Sequence, residues 1–189
     1  MNQIAEQSGI TEILREDHRK IKNIFFDFER AEDKAEREEL AQAAFTELTI
    51  HGTAEEEIFY PAIRERIQPS EWVDVAVGEH QVAKELITEL ENMKPGEEGF
   101  ESGFINLMES VREHILEEES FLFPKIEEMD EIDLQGLGEE ILNRQASLRE
   151  ELEDLTERAR KDSLTRNTRG RKSAHRAKSK KPQKNEFIN

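Results

Sequence analysis

The stretch HGTAEEEIFYP, residues 51–61, recurs 63 positions later as HILEEESFLFP, residues 114–124. Each copy has His first, Glu fifth and sixth, an aromatic residue tenth and Pro eleventh. Residues four apart lie on one face of an α-helix, so the histidine and the first glutamate of each copy point the same way. Two such His–Glu pairs that face each other form a candidate metal site.

Four amphipathic helical patterns surround these stretches, and each carries one histidine in the middle of its apolar face. We expect the first helix over residues 11–31, the second to end near Arg66, the third to begin with Ser70 as N-cap, and the fourth to begin near Phe100. The predicted inner faces are Leu14, His18, Ile21, Phe25, Phe28; Leu48, His51, Glu55, Ile58, Ala62; Val73, Val77, His80, Lys84, Ile87; and Phe104, Leu107, Val111, His114, Glu118, Phe121. Short connections between them predict an all-α fold, an antiparallel up-down-up-down four-helix bundle.

Two prolines, Pro61 and Pro124, come late in the second and fourth helices. Proline lacks an N–H group and its ring clashes with the preceding turn, so we expect each to kink or end its helix. The spacing of the histidines, 33 residues from His18 to His51 and 34 from His80 to His114, predicts two copies of one helical hairpin related by a pseudo-twofold axis.

We expect three parts along the chain: the bundle at residues 1–132, an additional helix at 133–161, and a disordered basic tail at 162–189. Residues 1–160 carry 17 Lys/Arg and 42 Asp/Glu, whereas residues 161–189 carry 10 Lys/Arg and two acidic residues. The acidic body should repel nucleic acid. The basic tail suits weak, salt-sensitive contact with nucleic acid or an acidic membrane surface, although most basic runs of this kind are merely solvated. His175, which lies in this tail, is interpreted as a solvated residue.

The composition limits the kinds of site that the chain can form. The sequence contains no cysteine, so any metal must be held by nitrogen and oxygen ligands. No apolar run reaches the length of a membrane span, and the first residues lack the pattern of a secretory signal. We therefore expect a cytoplasmic protein, with its oligomeric state left open.

Four histidines and two glutamates on the inner faces suit a pair of iron ions, because imidazole binds iron and carboxylates can bridge two cations. Each half would supply two terminal histidines to one ion, and Glu55 and Glu118 would bridge. The alternative is ordinary core histidines, but burying this set without metal would cost several kcal/mol. A ferritin-like site is excluded, since that pattern needs Glu three residues before each ligand histidine, where this chain has Arg15, Leu48, Val77 and Val111.

The order EDH, HGTAEEEIFYP, GEH and EHILEEESFLFP over about residues 10–130 resembles the hemerythrin-like HHE cation-binding family. The resemblance implies a four-helix bundle with a non-heme, oxo- or hydroxo-bridged di-iron centre. Carried over by position, the iron ligands would be His18, His51, His80 and His114, and the bridging carboxylates would be Glu55 and Glu118.

One position departs from the oxygen-carrying members, which have a fifth histidine where this chain has Lys84. A protonated amine cannot ligate a metal, so Lys84 would donate a hydrogen bond to a bound oxygen species, pair with a spare carboxylate or extend out of the bundle.

Glu56, Glu79 and Glu119 adjoin the ligands and are interpreted as a substitute ligand, as groups that orient the imidazoles, or as solvated residues. Tyr60, which matches Phe123 in the repeat, would pack as an apolar residue or act as a hydrogen-bonding or redox-active neighbour.

Three functions remain open at this point. The first is a binding protein whose di-iron site binds, senses or detoxifies dioxygen, nitric oxide or peroxide inside an apolar pocket of Ile21, Phe25, Ile58 and Phe121. The second is an enzyme, such as a peroxide-decomposing, catalase-like protein. The third is an iron storage or iron-sensing protein whose basic tail contacts a partner.

Overall fold

The computed structural model describes the backbone of residues 9–178 and the side chains of residues 9–161, and every regular element in this range is helical. The bounds in chain order are α1 Ile10–Arg30, α2 Lys34–Ala54, the π-helical turn π1 Glu55–Phe59, α3 Tyr60–Ile63, α4 Glu71–Leu90, α5 Phe100–Glu117, the π-helical turn π2 Glu118–Leu122, α6 Phe123–Glu127 and α7 Leu134–Lys178. Helices α2 and α5 each continue through their π-turn into the short helix that follows, so the predicted four long helices and the all-α bundle are confirmed.

A capping hydrogen bond explains where α2 begins, whereas α4 begins without one. Asp33 precedes α2, and its carboxylate accepts a hydrogen bond from the N–H of Ala35 at 2.7 Å, which satisfies one of the free donors of the first turn. Ser70 occupies the predicted N-cap position of α4, but its side chain makes no capping hydrogen bond. The prediction of where α4 begins is therefore confirmed. The capping hydrogen bond expected from Ser70 is not formed.

The two prolines do not end their helices. Pro61 lies two residues after π1, and Pro124 lies two residues after π2, and the helix continues past each of them. The wide turn shifts the carbonyl groups that a proline ring would otherwise meet, so the chain accommodates each proline as a local bulge.

The π-turns also change which residues face inward. Each inserts an extra residue into the helical repeat, so the inner face advances by one position. The prediction of inward-facing Phe121 was wrong, because this side chain is 59% exposed while the next residue, Leu122, is buried. In the second helix Ile58 is only half-buried, and Phe59 takes the inner position.

The histidines lie between two apolar layers of the bundle. On α1, His18 is flanked by buried Leu14 on one side and by buried Ile21 on the other. The larger layer is built around aromatic rings, and its largest members are Phe25, Phe28, Phe45, Phe100 and Phe104. The smaller layer at the other side of the histidines includes Phe59, Ile63, Phe123 and Ile126. This packing excludes water from both sides of the polar cluster.

Helix α7 is longer than the sequence predicted. We expected an end near Lys161 and disorder from residue 162, but the helix extends to Lys178, and residues 179–189 of the expected tail lie outside the described part of the chain. The stretch contains no proline and many helix-favouring residues, and helical hydrogen bonding does not require an apolar face.

The chain divides into two units within α7, after Leu148. In the first unit the early part of α7 packs on the bundle: Ile141 and Leu148 are buried, and the amide of Gln145 donates to Asp17 at 2.6 Å. The second unit begins at Arg149 and continues as the helix. Among the described residues, no helix is long and apolar enough to cross a membrane.

Candidate metal centre

All six predicted site residues come together in the interior of the first unit. His18, His51, His80 and His114 are buried, as are Glu55 and Glu118. Their ligand atoms form two overlapping groups, within each of which all atoms lie within 4.8 Å of one another. One group contains His18, His51, Glu55 and Glu118, and the other contains Glu55, His80 and His114.

Each glutamate lies between a histidine of the first half and a histidine of the second. The Oε2 atom of Glu55 is 3.2 Å from Nε2 of His51 and 3.3 Å from Nε2 of His80. The Oε2 atom of Glu118 is 3.2 Å from Nε2 of His18 and 3.6 Å from Nε2 of His114. Each carboxylate thus faces one imidazole of each half.

The other ring nitrogen of each histidine faces a carboxylate. Nδ1 of His18 lies 2.9 Å from Glu119, and Nδ1 of His80 lies 3.1 Å from Glu56. These two glutamates directly follow Glu118 and Glu55, and each faces a histidine of the opposite half of the bundle. With Nδ1–H donating to the carboxylate, the lone pair of Nε2 points into the cluster, which is the usual support of a metal-binding histidine.

Within each half, an acidic residue just before one histidine faces the other histidine. Nδ1 of His114 lies 2.9 Å from Glu79, the neighbour of His80. Nδ1 of His51 lies 3.7 Å from Asp17, the neighbour of His18, which is an ion-pair distance longer than a hydrogen bond. Glu56, Glu79 and Glu119 therefore orient the imidazoles, as one of the predicted interpretations holds.

Lys84 lies outside the cluster and pairs with a carboxylate. Its Nζ is 2.7 Å and 2.6 Å from the two oxygens of Glu56, and its side chain is 46% exposed. Of the roles considered for Lys84, the structure supports pairing with a spare carboxylate. In the first half, Lys22 lies four residues after His18 and contacts Glu119 at 3.1 Å, so the two halves share this arrangement.

Two residues of this network, Lys22 and Asp17, were not predicted from the sequence. The signal for both is the internal repeat: His18 and His80 are each preceded by an acidic residue and followed four positions later by a lysine. Aligning the two halves on these histidines, and not only on the two HxxxEE stretches, would have identified them.

Several buried polar atoms of this cluster are left without a hydrogen-bond partner among the described residues. They are Nε2 of His18, both ring nitrogens of His51, both oxygens of Glu55 and Oε2 of Glu118. In addition, the Nε2 atoms of His80 and His114 lie only 3.0 Å apart. With both Nδ1 atoms protonated, these two Nε2 atoms would present lone pairs to each other. Cations between the side chains would satisfy all of these atoms except Nδ1 of His51, which faces Asp17, so the residues fit a metal site.

The electrostatics of the metal-free cluster agree with this interpretation. Burial, together with the negative charge of Glu118, raises the pKa of Glu55 to about 8. Burial acts in the same direction on Glu118, but His114 and His18 outweigh it and lower the pKa of that carboxyl group to about 2. Two carboxylates that share one site cannot both ionise easily, and a bound cation would supply the missing positive charge.

Tyr60 adds a hydroxyl group on one side of the cluster. It is fully buried, donates to Oε1 of Glu118 at 2.9 Å and lies 3.3 Å from Nε2 of His80. Burial and the two glutamates raise its pKa well above the usual value for tyrosine. Its equivalent in the repeat, Phe123, instead stacks on His18 with ring centroids 5.6 Å apart, so the two sides of the cluster differ in polarity.

A glycine makes the close packing around His80 possible. Gly52 is buried on α2, and a Cβ atom at this position would lie 3.3 Å from Nδ1 of His80. A larger side chain would have to displace the imidazole, so the absence of a side chain lets α2 and α4 approach each other beside the cluster.

Comparisons with known proteins agree with the fold and the site. The sequence matches the family described as the Hemerythrin HHE cation binding domain over residues 9–126. A crystal structure of a hemerythrin HHE cation binding domain-containing protein from Mycobacterium kansasii superimposes with a TM-score of 0.65 at 24% identity, covering 76% of this chain and 89% of that one. At this identity the likeness concerns the fold alone.

Two curated proteins also match over part of their length. An uncharacterized hemerythrin-like protein of Schizosaccharomyces pombe is 28% identical over 124 residues, which is 65% of this chain and 61% of that protein. A DNA nickase of Nostoc sp. is 26% identical over 121 residues, which is 64% of this chain but only 34% of that protein. The chain thus spans less than two thirds of each of these two relatives. This chain belongs to the hemerythrin HHE cation-binding domain family.

Proposed function

We propose that the buried cluster holds two iron ions and that the protein uses them to bind, sense or detoxify dioxygen, nitric oxide or peroxide. One observation carries the proposal: a single oxygen atom of Glu55 lies 3.2 Å and 3.3 Å from one histidine of each half. Two histidines per ion and shared carboxylates would leave coordination positions free for a small ligand. The same nitrogen and oxygen donors also suit zinc and manganese, so the metal is part of the test.

The bound metal pair would supply one-electron exchange with a small oxidant, and the side chains of this chain would control its surroundings. Glu56, Glu79 and Glu119 hold the imidazoles in place. The rings of Phe59 and Phe123 exclude water from one side. The hydroxyl group of Tyr60 donates to Glu118 and so keeps that carboxylate oriented.

Peroxide decomposition is the enzymatic form of this proposal. It is favoured by the position of Lys84, which pairs with Glu56 outside the cluster and leaves two histidines for each ion. Two ions that each have two histidines and an incomplete set of protein ligands would suit redox turnover better than the single open position that reversible carriage requires. Iron storage or iron sensing is the alternative role for the same residues.

The deciding experiment measures the metal content and optical spectrum of the full-length protein produced in iron-supplied medium. We expect two irons per chain and the near-ultraviolet charge-transfer absorption of a bridged ferric pair. Loss of added peroxide over many equivalents would assign the enzyme, whereas one stable adduct per centre would assign a carrier or sensor. Zinc alone, or one metal per chain, would refute the di-iron proposal.

The matched variant for this experiment replaces both bridging carboxylates, Glu55→Ala with Glu118→Ala. We expect it to lose the paired site, because Glu55 is the carboxylate that both ligand groups share, and Oε2 of Glu118 lies near His18 of one group and His114 of the other. A double variant that still bound two irons per chain would show that the bridge assignment is wrong. The control, Glu57→Ala, removes an exposed carboxylate that pairs with Arg144, away from the cluster.

Nucleic-acid contact is a second, lesser candidate and would involve residues 162–189. Its support is the excess of lysine and arginine in this segment, together with the printed name of one relative, a DNA nickase. Nicking itself is not proposed for this chain, since the match covers about a third of that protein. Removing residues 162–189 should abolish any salt-dependent DNA binding of the full chain, and equal binding by both forms would refute this candidate.

A further inference from the structure

A pocket with mostly apolar walls adjoins the metal centre. A pocket of about 360 Å³ has walls formed by five apolar side chains, Trp72, Val75, Ala76, Phe121 and Leu122. Its inner end reaches buried His114 and Glu118 of the cluster. Its mouth is marked by Val75 and Phe121, which are 50% and 59% exposed. The volume lies within the range of sites for small organic ligands.

The internal repeat allows the pocket to be compared with the equivalent surface of the first half. The first-half positions equivalent to Trp72, Val75 and Ala76 are Ile10, Ile13 and Leu14, and all three are buried.

The part of α7 that belongs to the first unit contacts this half of the bundle. Gln145 bonds to Asp17, and Arg144 bonds to Glu57 at 2.5 Å. The equivalent surface of the second half keeps Val75 and Phe121 exposed. The pocket therefore occupies the place that α7 fills on the other half.

Charge and polarity restrict what can occupy the pocket. Glu79 and Glu117 line it beside the apolar walls, and residues 1–160 are strongly acidic. An anionic molecule would be repelled by these carboxylates. A cationic molecule would lose hydration against the apolar walls without a buried partner of its own, because Glu79 already bonds to His114 and Glu118 to Tyr60. The third carboxylate, Glu117, is exposed, so water screens its charge. A neutral, largely apolar molecule meets neither penalty.

We propose that this pocket binds a small neutral organic molecule of about the size of one substituted aromatic ring, next to the metal centre. The inference goes beyond the proposed function, because the walls that carry it do not depend on any metal. Such a ligand would contact the apolar walls with most of its surface and would bring one end close to His114 and Glu118.

Trp72 provides a direct readout, since it is the only tryptophan of the chain and forms part of the wall. The probe is 2-phenyl-2-propanol, a neutral single-ring alcohol, titrated into the full-length protein in metal-free and metal-loaded forms. We expect a saturable change of tryptophan fluorescence in both forms. The anionic 4-isopropylbenzoate, of similar size, should bind about tenfold more weakly or not at all.

Two variants test the location of binding. Ala76→Leu extends a side chain into the pocket and should weaken binding about tenfold or more. Val75→Glu adds a charge at the mouth, where the half-exposed side chain can be replaced without disturbing the core. The matched control is Val82→Glu on the same helix, since Val82 is 49% exposed but does not line the pocket. Val82→Glu should bind the alcohol with the same affinity as the unmodified protein.

Several outcomes would overturn the proposal. They are an absence of saturable binding, equal binding by Ala76→Leu, Val75→Glu and the control, or equal binding of the anion. A dimer that Val75→Glu dissociates and Val82→Glu does not would assign the surface to a second copy of the chain. Failure of the iron proposal leaves this result unaffected, because binding is measured on the metal-free protein as well.

Discussion

Lys84 and Glu56 form a double contact, with Nζ 2.7 Å and 2.6 Å from the two carboxylate oxygens, and Glu56 in turn meets Nδ1 of His80 at 3.1 Å. Lys22, Glu119 and His18 repeat the series in the first half. The residue in place of a fifth histidine is thus one of two equivalent lysines that hold a carboxylate against an imidazole.

Removing this carboxylate should weaken metal binding at one of the two positions. In Glu56→Ala, His80 loses the acceptor that fixes its ring, so we expect the affinity for one of two ferrous ions to fall about 10- to 100-fold. Lys84→Met should have a smaller effect in the same direction, because the carboxylate remains. The measurement is an anaerobic titration against a competing chelator.

The neighbouring residue offers a control for this titration. Glu57→Ala removes a carboxylate that is 45% exposed and pairs with Arg144. We expect unchanged affinity for both ions. Equal losses in Glu56→Ala and Glu57→Ala would mean that a general change of charge, and not the orientation of His80, sets the affinity.

The hydroxyl group of Tyr60 should stabilise the metal-free protein. Tyr60→Phe leaves buried Glu118 without the hydrogen bond of 2.9 Å, at a cost of about 1–3 kcal/mol in the free energy of unfolding. The loss should be smaller in the metal-loaded protein, where a cation would compensate the carboxylate. Chemical denaturation of both forms measures the difference.

A double-mutant cycle with Glu118→Gln separates the hydrogen bond from other effects of the substitution. We expect a coupling energy of at least about 0.5 kcal/mol between Tyr60 and Glu118 in the metal-free protein. Additive effects of the two substitutions would mean that Tyr60 contributes through apolar packing alone.

Metal binding should release a proton from Glu55 near neutral pH. Burial and Glu118 raise the pKa of this carboxyl group to about 8, so it is largely protonated at pH 7, while a cation requires the carboxylate. The affinity should therefore rise with pH and level off above about pH 8. Calorimetric titrations in buffers of different protonation enthalpy count the protons released, and Glu55→Gln should remove this contribution.

The same shift makes a prediction about the stability of the metal-free protein. The folded-state pKa of Glu55 lies above the ordinary value of 4.5, so its protonated form favours folding at low pH. That contribution is lost as the pH rises from about 4.5 to about 8. Glu55→Gln should flatten this part of the pH–stability profile, and an unchanged slope would contradict the assignment.

Phe104 should dominate the stability of the larger apolar layer. Its ring is fully buried, stacks on Phe28 at 4.0 Å and meets Phe25 edge-on at 6.2 Å. Phe104→Ala should lower the free energy of unfolding by about 3–5 kcal/mol. Phe26→Ala is the control, because that ring is 54% exposed and contacts Arg30, and it should cost less than about 1 kcal/mol.

The six site residues and the four long helices could be predicted because their signals are local. A histidine and a glutamate four positions apart share a helix face in any α-helix, and the apolar spacing that defines each face repeats within a few turns. The same reasoning went wrong at Phe121, since it assumes 3.6 residues per turn and the π-turn Glu118–Leu122 does not have that period.

The sequence by itself determined that four helices would each place a histidine at one depth, with Glu55 and Glu118 beside them. Only the tertiary structure decided that Lys84 pairs with Glu56, because these residues are 28 positions apart on different helices. It also decided that the early part of α7 packs on the first half of the bundle, whereas the second half has a pocket at Trp72. Such contacts depend on which surfaces meet across the bundle, and the periodicity of a single helix carries no information about its neighbours.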